Sequence, residues 1–166
     1  MRDATAADAG AVARIVVAAW RAAYAGLLPE AVLDGLSEEE RRGWWAARLP
    51  AAAPTSCLVT GVPPVGFVAS GPSFDGAGHS GRGQVYALYV DPPHWGRGLG
   101  RLLLSGAVTR LREAGFATAS LWVLATNEAA RGFYEHEGWA ASGRTQVERL
   151  HGADVPEAEY TRSLGS

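Results

Sequence analysis

The chain has 166 residues, 48% apolar and 19% charged, with a formal net charge of −2. That length fits a single domain over 1–166 with a sizeable core, and the near-neutral charge argues against nucleic-acid and anionic-membrane partners. One cysteine, Cys57, excludes an internal disulfide and fits a reducing compartment; without a membrane-length apolar run or a signal-peptide core, the expected location is cytoplasmic.

Arg2 to Thr5 reads as a short first strand. Asp8 is a plausible N-cap for a helix to about Tyr24, with Val12, Ile15, Val16, Ala19 and Ala23 as its buried stripe. Gly26 to Pro29 turns the chain, and Ser37 followed by Glu40 reads as a capping box for a helix through Arg48. Pro50 to Pro54 breaks that helix. Cys57 to Thr60 and Val65 to Ser70 read as strands around a Gly-Val-Pro-Pro turn, followed by a Gly-rich loop over Gly71 to Gly83. The strand Gln84 to Val90 then runs into a helix ending near Ala114, with Gly115 as its C-cap. Ala119 to Leu124 is an apolar strand. Thr126 or Asn127 caps a helix that ends near Gly138, and Trp139 to Leu150 with Ala158 to Leu164 close the chain as a strand pair. This order indicates an α+β sheet with mixed strand directions.

The densest signal is Trp95-Gly96-Arg97-Gly98-Leu99-Gly100-Arg101, between an apolar strand and a Leu-rich helix. Alternating glycines opening a helix expose bare N–H groups, an anion site suited to a phosphate. Two phosphate motifs are misspelled. A P-loop needs a lysine, and the chain has none; a dinucleotide fingerprint needs its third glycine at the position held by Arg101, after an opening βαβ unit.

The spelling resembles the Gln/Arg-x-x-Gly-x-Gly/Ala signature of the GCN5-related N-acetyltransferase (GNAT) family, matching at every position but the first, where Trp95 stands. The preceding strand, the Leu121–Trp139 segment and the N-terminal helix pair match too, so the likeness covers nearly the whole chain. It implies a central mixed, mostly antiparallel sheet flanked by helices, with a V-shaped splay between two central strands. It also implies acetyl-CoA as donor, no metal, an amine acceptor and often a homodimer through the C-terminal strands. The alternative is a non-catalytic acyl-CoA binding or sensing domain.

By this resemblance Gly96, Arg97, Gly98, Leu99, Gly100 and Arg101 would hold the pyrophosphate, and Leu88, Tyr89 and Val90 would offer main-chain groups to the pantetheine arm. Trp95 is assigned packing or adenine contact. Asn127 would bind the same arm, Arg131 is a candidate for the 3′-phosphate, and Tyr134 would protonate the departing thiolate. An ordinary phenol and thiol differ by about 2 kcal/mol for that transfer. Trp20, Tyr24, Trp44, Trp45 and Gln84 fall on the acceptor side. The family often carries a glutamate where Gln84 stands, and glutamine accepts no proton. The acceptor is therefore expected to be a low-pKa amine, or a water chain ends at His79, His94 or His136. The run Glu38 to Glu40, with Glu148, Glu157 and Glu159, would attract a cation. Cys57 is a poor nucleophile, with no histidine or helix N-terminus nearby in sequence.

Overall fold

The computed structural model describes residues 1–74, 81–150 and 152–165. Seven strands form one sheet in the order β1-β2-β3-β4-β5-β7-β6. They are β1 (Arg2–Asp3), β2 (Ser56–Thr60), β3 (Gly66–Pro72), β4 (Arg82–Val90), β5 (Thr118–Leu124), β6 (Ala140–Leu150) and β7 (Ala153–Ser163). Only the β4–β5 pair is parallel; every other neighbouring pair is antiparallel. The helices are α1 (Ala9–Ala23), α2 (Glu30–Asp34), α3 (Glu38–Ala46), α4 (Leu99–Glu113) and α5 (Glu128–His136).

The helices cover opposite faces of the sheet. Val12, Ile15 and Val16 of α1, with Trp45 of α3, pack on Val59, Phe67 and Ala69. On the other face Leu103, Leu104, Ala107 and Leu111 of α4 pack on Val68, Val85, Leu121 and Tyr160. The stripe expected on α1 is buried except for Ala23, which is half-buried.

The termini of α1 and α2 differ from expectation. Asp8 does not cap α1 with its side chain. Its carboxylate instead accepts the Thr5 N–H at 2.8 Å and pairs with Arg2 at 2.7 Å, so a 3-10 turn over Ala6–Asp8 leads into the helix. The five-residue α2 follows the Gly26–Pro29 turn, too short to carry a legible period. Ser37 caps α3 as expected, its Oγ accepting the Glu40 N–H at 3.2 Å.

Two irregularities in the sheet open the molecule. Between β3 and β4, Ala69 faces Ala87 but Ser70 faces Val85, so Tyr86 is an extra residue on β4. The bulge re-aims the strand. Val85, Leu88 and Val90 face the α4 side, whereas Ala87 and Tyr89 face the α1 side. Pairing of β4 with β5 then covers only Arg82–Val85 against Thr118–Leu121. Beyond it β4 stays on β3 and β5 stays on β7, so the two central strands diverge in a V.

Candidate active site

The V opens into one cavity of about 1680 Å³. Leu88, Tyr89 and Val90 of β4 and Leu124 of β5 wall it at the splay, with Asn127 and Tyr134 beside them. It continues under α1 and α3, where Trp20, Tyr24 and Trp44 line it, and along the open face of β6 and β7, where Glu148 and Glu157 line it. Gln84 lies on the same wall. Its Oε1 accepts the Phe74 N–H at 3.2 Å and the Ser73 hydroxyl at 3.3 Å, fixing the end of β3.

The slot is a backbone feature. Past Val85 no β5 residue pairs with the β5-facing edge of β4, so its main-chain groups there have no strand partner. Trp95 Nε1 donates to the Val90 carbonyl at 2.7 Å, which explains a tryptophan at that position and marks the end of the slot.

The glycine turn lies just beyond. Gly98 caps α4 at φ +76°, a left-handed conformation that favours glycine, and it brings no side chain to the first-turn N–H groups. Those of Leu99, Gly100 and Arg101 therefore lack an intrahelical partner and face outward with the positive end of the helix dipole. Gly100 has helical backbone, and a Cβ there would meet only Phe133 at 3.5 Å, an ordinary contact. Packing does not require glycine at 100, where a Cβ would have room. Arg97 and Arg101 are exposed, and Arg101 pairs with Glu137 at 3.4 Å. The fit to a pyrophosphate is thus one of open N–H groups, bare Cα atoms and two arginines.

Asn127 caps α5, its Oδ1 accepting the Ala130 N–H at 3.1 Å, which leaves its NH₂ group as a donor beside the slot. Arg131 is engaged elsewhere: its Nε donates to the Tyr160 hydroxyl at 3.1 Å and its Nη1 to the Ala125 carbonyl at 3.0 Å. Tyr134 packs edge-on against Phe133 and Trp139. Burial holds its phenol well above the ordinary value, and the nearby Tyr89 adds to the shift. Tyr24 and Tyr89 are raised as well, burial being the largest cause in both. Three protonated phenols thus meet where the splay opens.

The aromatic residues divide. Trp45 lines the cavity but is buried in the core against Phe67, at 5.1 Å between ring centroids. Trp20 packs against Tyr24 at 5.1 Å, and its Nε1 is buried without a hydrogen-bond partner among the described residues. Trp44 is half exposed under the Arg48 guanidinium, 3.7 Å from its ring. The acids divide too. Glu159 is a structural ion: fully buried, it pairs with Arg82 at 2.6 Å and Arg144 at 3.2 Å and accepts the Ser142 hydroxyl at 2.5 Å. Glu40, Glu148 and Glu157 line the cavity, whereas Glu38 and Glu39 do not.

Burial pushes the Cys57 thiol up to about 12, so the thiolate a nucleophile needs is absent near neutrality. His94 and His136 do not line the cavity, and His79 lies outside the described residues. Among the described residues no group of three or more His, Cys, Asp or Glu could hold a metal ion, and no helix is long and apolar enough to cross a membrane.

Comparison with known proteins agrees with this geometry. Residues 16–139 match the family model described as Acetyltransferase (GNAT) family. A Mycobacterium tuberculosis protein named as a probable N-acetyltransferase is 29% identical over 96% of this chain and 91% of its own length. Two solved structures share the fold. The ribosomal-protein-alanine N-acetyltransferase of Brucella melitensis has a TM-score of 0.75 at 23% identity, covering 98% of each chain. The PaiA N-acetyltransferase of Thermoplasma acidophilum, in complex with coenzyme A, has a TM-score of 0.72 at 18% identity, covering 98% of this chain and 96% of that one.

Proposed function

The chain belongs to the acetyltransferase (GNAT) family and is an acetyl-CoA-dependent N-acetyltransferase; we propose that its acceptor is a primary amine, which attacks directly while donor and acceptor are bound together. One observation carries this reading: a single cavity joins the β4–β5 slot to the aromatic and acidic wall under α1 and α3. Donor and acceptor can therefore meet without an acyl-enzyme, and burial that keeps the Cys57 thiol protonated argues against it as a carrier.

Bound acetyl-CoA supplies an activated acetyl thioester. The first-turn N–H groups of α4, with Arg97 and Arg101, hold the pyrophosphate, and Asn127 with Leu88, Tyr89 and Val90 orients the pantetheine arm. An unpaired β4 N–H polarises the thioester carbonyl, which is worth about 3–4 kcal/mol per donor in comparable sites. Tyr134 keeps its proton for the leaving sulfur. The same desolvation that raises a phenol raises a thiol buried beside it, so the two proton affinities move together rather than apart. On the acceptor side the unpaired Trp20 Nε1 and the phenols of Tyr24 and Tyr89 offer polar contacts, and the acids favour a cation.

The test is acetyl-CoA-dependent release of free thiol with α-amino acids, polyamines, aminoglycosides and peptides, each product checked for an added acetyl group by mass. Turnover above hydrolysis supports the reading. Tight acetyl-CoA binding without turnover of any amine would leave a sensing domain instead.

The reading extends to location and assembly. A single buried cysteine suits the cytoplasm. The edge strand β6 is exposed along Ala140–Arg149, with Val147 65% exposed, and suits pairing with a second copy. A light-scattering mass of one chain would sink the homodimer.

A further inference from the structure

Glutamine at position 84 leaves the amine without an obvious base, and the cavity offers another. Resting on the N-acetyltransferase reading above, we propose that Glu157 takes the proton from the acceptor's ammonium group. It is a catalytic residue at the far wall of the cavity, on β7.

The fold places it there for local reasons. Glu157 faces Leu124 across the β5–β7 ladder, the last pair before β5 ends. Its neighbour Pro156 brings no N–H to the ladder, and the Ala125 N–H reaches the Pro156 carbonyl at 2.9 Å. The carboxylate thus sits beside the turn that carries Asn127 into α5, and it lines the cavity shared with Tyr134, Tyr24 and Tyr89. It is close enough to Tyr24 and Tyr89 for its charge to raise both phenols.

Its surroundings suit a base rather than an ion-pair partner. Gln146 Nε2 donates to Oε2 at 2.7 Å and fixes the carboxylate plane, while Oε1 has no hydrogen-bond partner among the described residues. No arginine or histidine among them forms an ion pair with it. The groups facing it are Gln146 and Glu148 from β6, Tyr24 at the C-terminal end of α1 and Tyr89 from β4. Burial and the Glu148 charge both favour its protonated form over that of an ordinary glutamate. The other acids of the cavity, Glu40 and Glu148, are exposed, and Glu159 is committed to Arg82 and Arg144.

One proton moves first, from the ammonium nitrogen to Oε1. The freed lone pair then forms the C–N bond at the thioester carbon; as the C–S bond breaks, the sulfur takes the Tyr134 proton and the second proton of the attacking nitrogen restores the phenol. The carboxyl returns its proton to water after the product leaves.

The experiment compares wild type, Glu157→Gln, Glu157→Asp and Glu148→Gln with the best amine of the panel. In Glu157→Gln, kcat near pH 7 falls by roughly a hundredfold or more, while the KM for acetyl-CoA holds. The wild-type rate rises as Glu157 ionises and levels off well below the pKa of the amine. In Glu157→Gln it climbs about tenfold per pH unit until the amine itself is neutral. Glu157→Asp recovers part of the loss, and Glu148→Gln lowers the pH of the wild-type rise. Carboxyl-carbon NMR, with Glu157 assigned by its loss in the glutamine variant, shows this side chain titrating above an ordinary glutamate. Wild-type turnover with an unchanged rate and pH profile in Glu157→Gln, or an ordinary Glu157 titration, overturns this inference alone. A wild type that turns over no amine overturns the transferase reading together with it.

Discussion

At the residue scale the site works by keeping protons in place. Tyr134, Tyr24 and Tyr89 are all held in their neutral form by burial. Removing the hydroxyl of Tyr134 while keeping its ring packing on Trp139 isolates the acid. We expect Tyr134→Phe to lower kcat by roughly a hundredfold with little change in the KM for acetyl-CoA, read by steady-state kinetics; a larger change in KM than in kcat would make Tyr134 a binding residue. Glu159 looks like part of the same acidic group in sequence, yet its role is different. It is buried between Arg82 and Arg144, and breaking such a pair from one side costs about 3–5 kcal/mol. Glu159→Ala is therefore expected to lower the unfolding free energy, read by urea denaturation, by that much; a loss below about 1 kcal/mol, the worth of a surface pair, would show the pair to be incidental.

At the element scale the turn into α4 couples a stability cost to binding. Glycine inside a helix is less stable than alanine by roughly 0.5–1 kcal/mol, and nothing in the chain occupies the space a Cβ at 100 would take. Gly100→Ala should stabilise the fold slightly and weaken acetyl-CoA binding, read by denaturation and by calorimetry. Gly98→Ala loses on both counts, because φ +76° strains any residue with a Cβ. A Gly100→Ala protein that binds acetyl-CoA as well as wild type would remove the glycine turn from the donor site.

The legible and illegible parts of the chain divide by the range of the forces involved. The Trp95–Arg101 turn, the Ser37 and Asn127 caps and the main strands were readable, because caps, periods and glycine turns are local. The short α2 was not, nor was the 3-10 entry to α1, where Asp8 serves Arg2 and Thr5 instead of the helix. The bulge at Tyr86 leaves no mark in an alternating strand, since it is a mismatch between β3 and β4 rather than a property of either. The acids in the C-terminal strands were visible as residues, but their division into a structural ion and a cavity carboxylate depends on cross-sheet neighbours far away in sequence.

For the whole molecule, buried acids set the pH range of stability. Cys57 titrates near 9 when unfolded and at about 12 when folded. Its neutral form is the one the fold favours, so that contribution is complete below pH 9 and is lost as pH rises from 9 to 12. The raised phenols add the same sign above about pH 10. Asp8 acts oppositely. Its carboxylate is held below the usual range first by the Arg2 hydrogen bond, so its contribution is complete above pH 3.8 and is lost as pH falls further. Thermal melts should therefore show a steep alkaline limb beginning near pH 9, and Cys57→Ala should flatten it between 9 and 12 while leaving turnover intact. An unchanged limb would show that the thiol does not carry it.

Where the donor sits decides how the cavity works. Amide chemical-shift mapping of the labelled protein with coenzyme A tests this directly. The largest shifts should fall on Gly96, Gly98, Leu99, Gly100 and Arg101 and on Leu88, Tyr89 and Val90, with Asn127 beside them. Shifts confined to other surfaces, or none at millimolar coenzyme A, would contradict it.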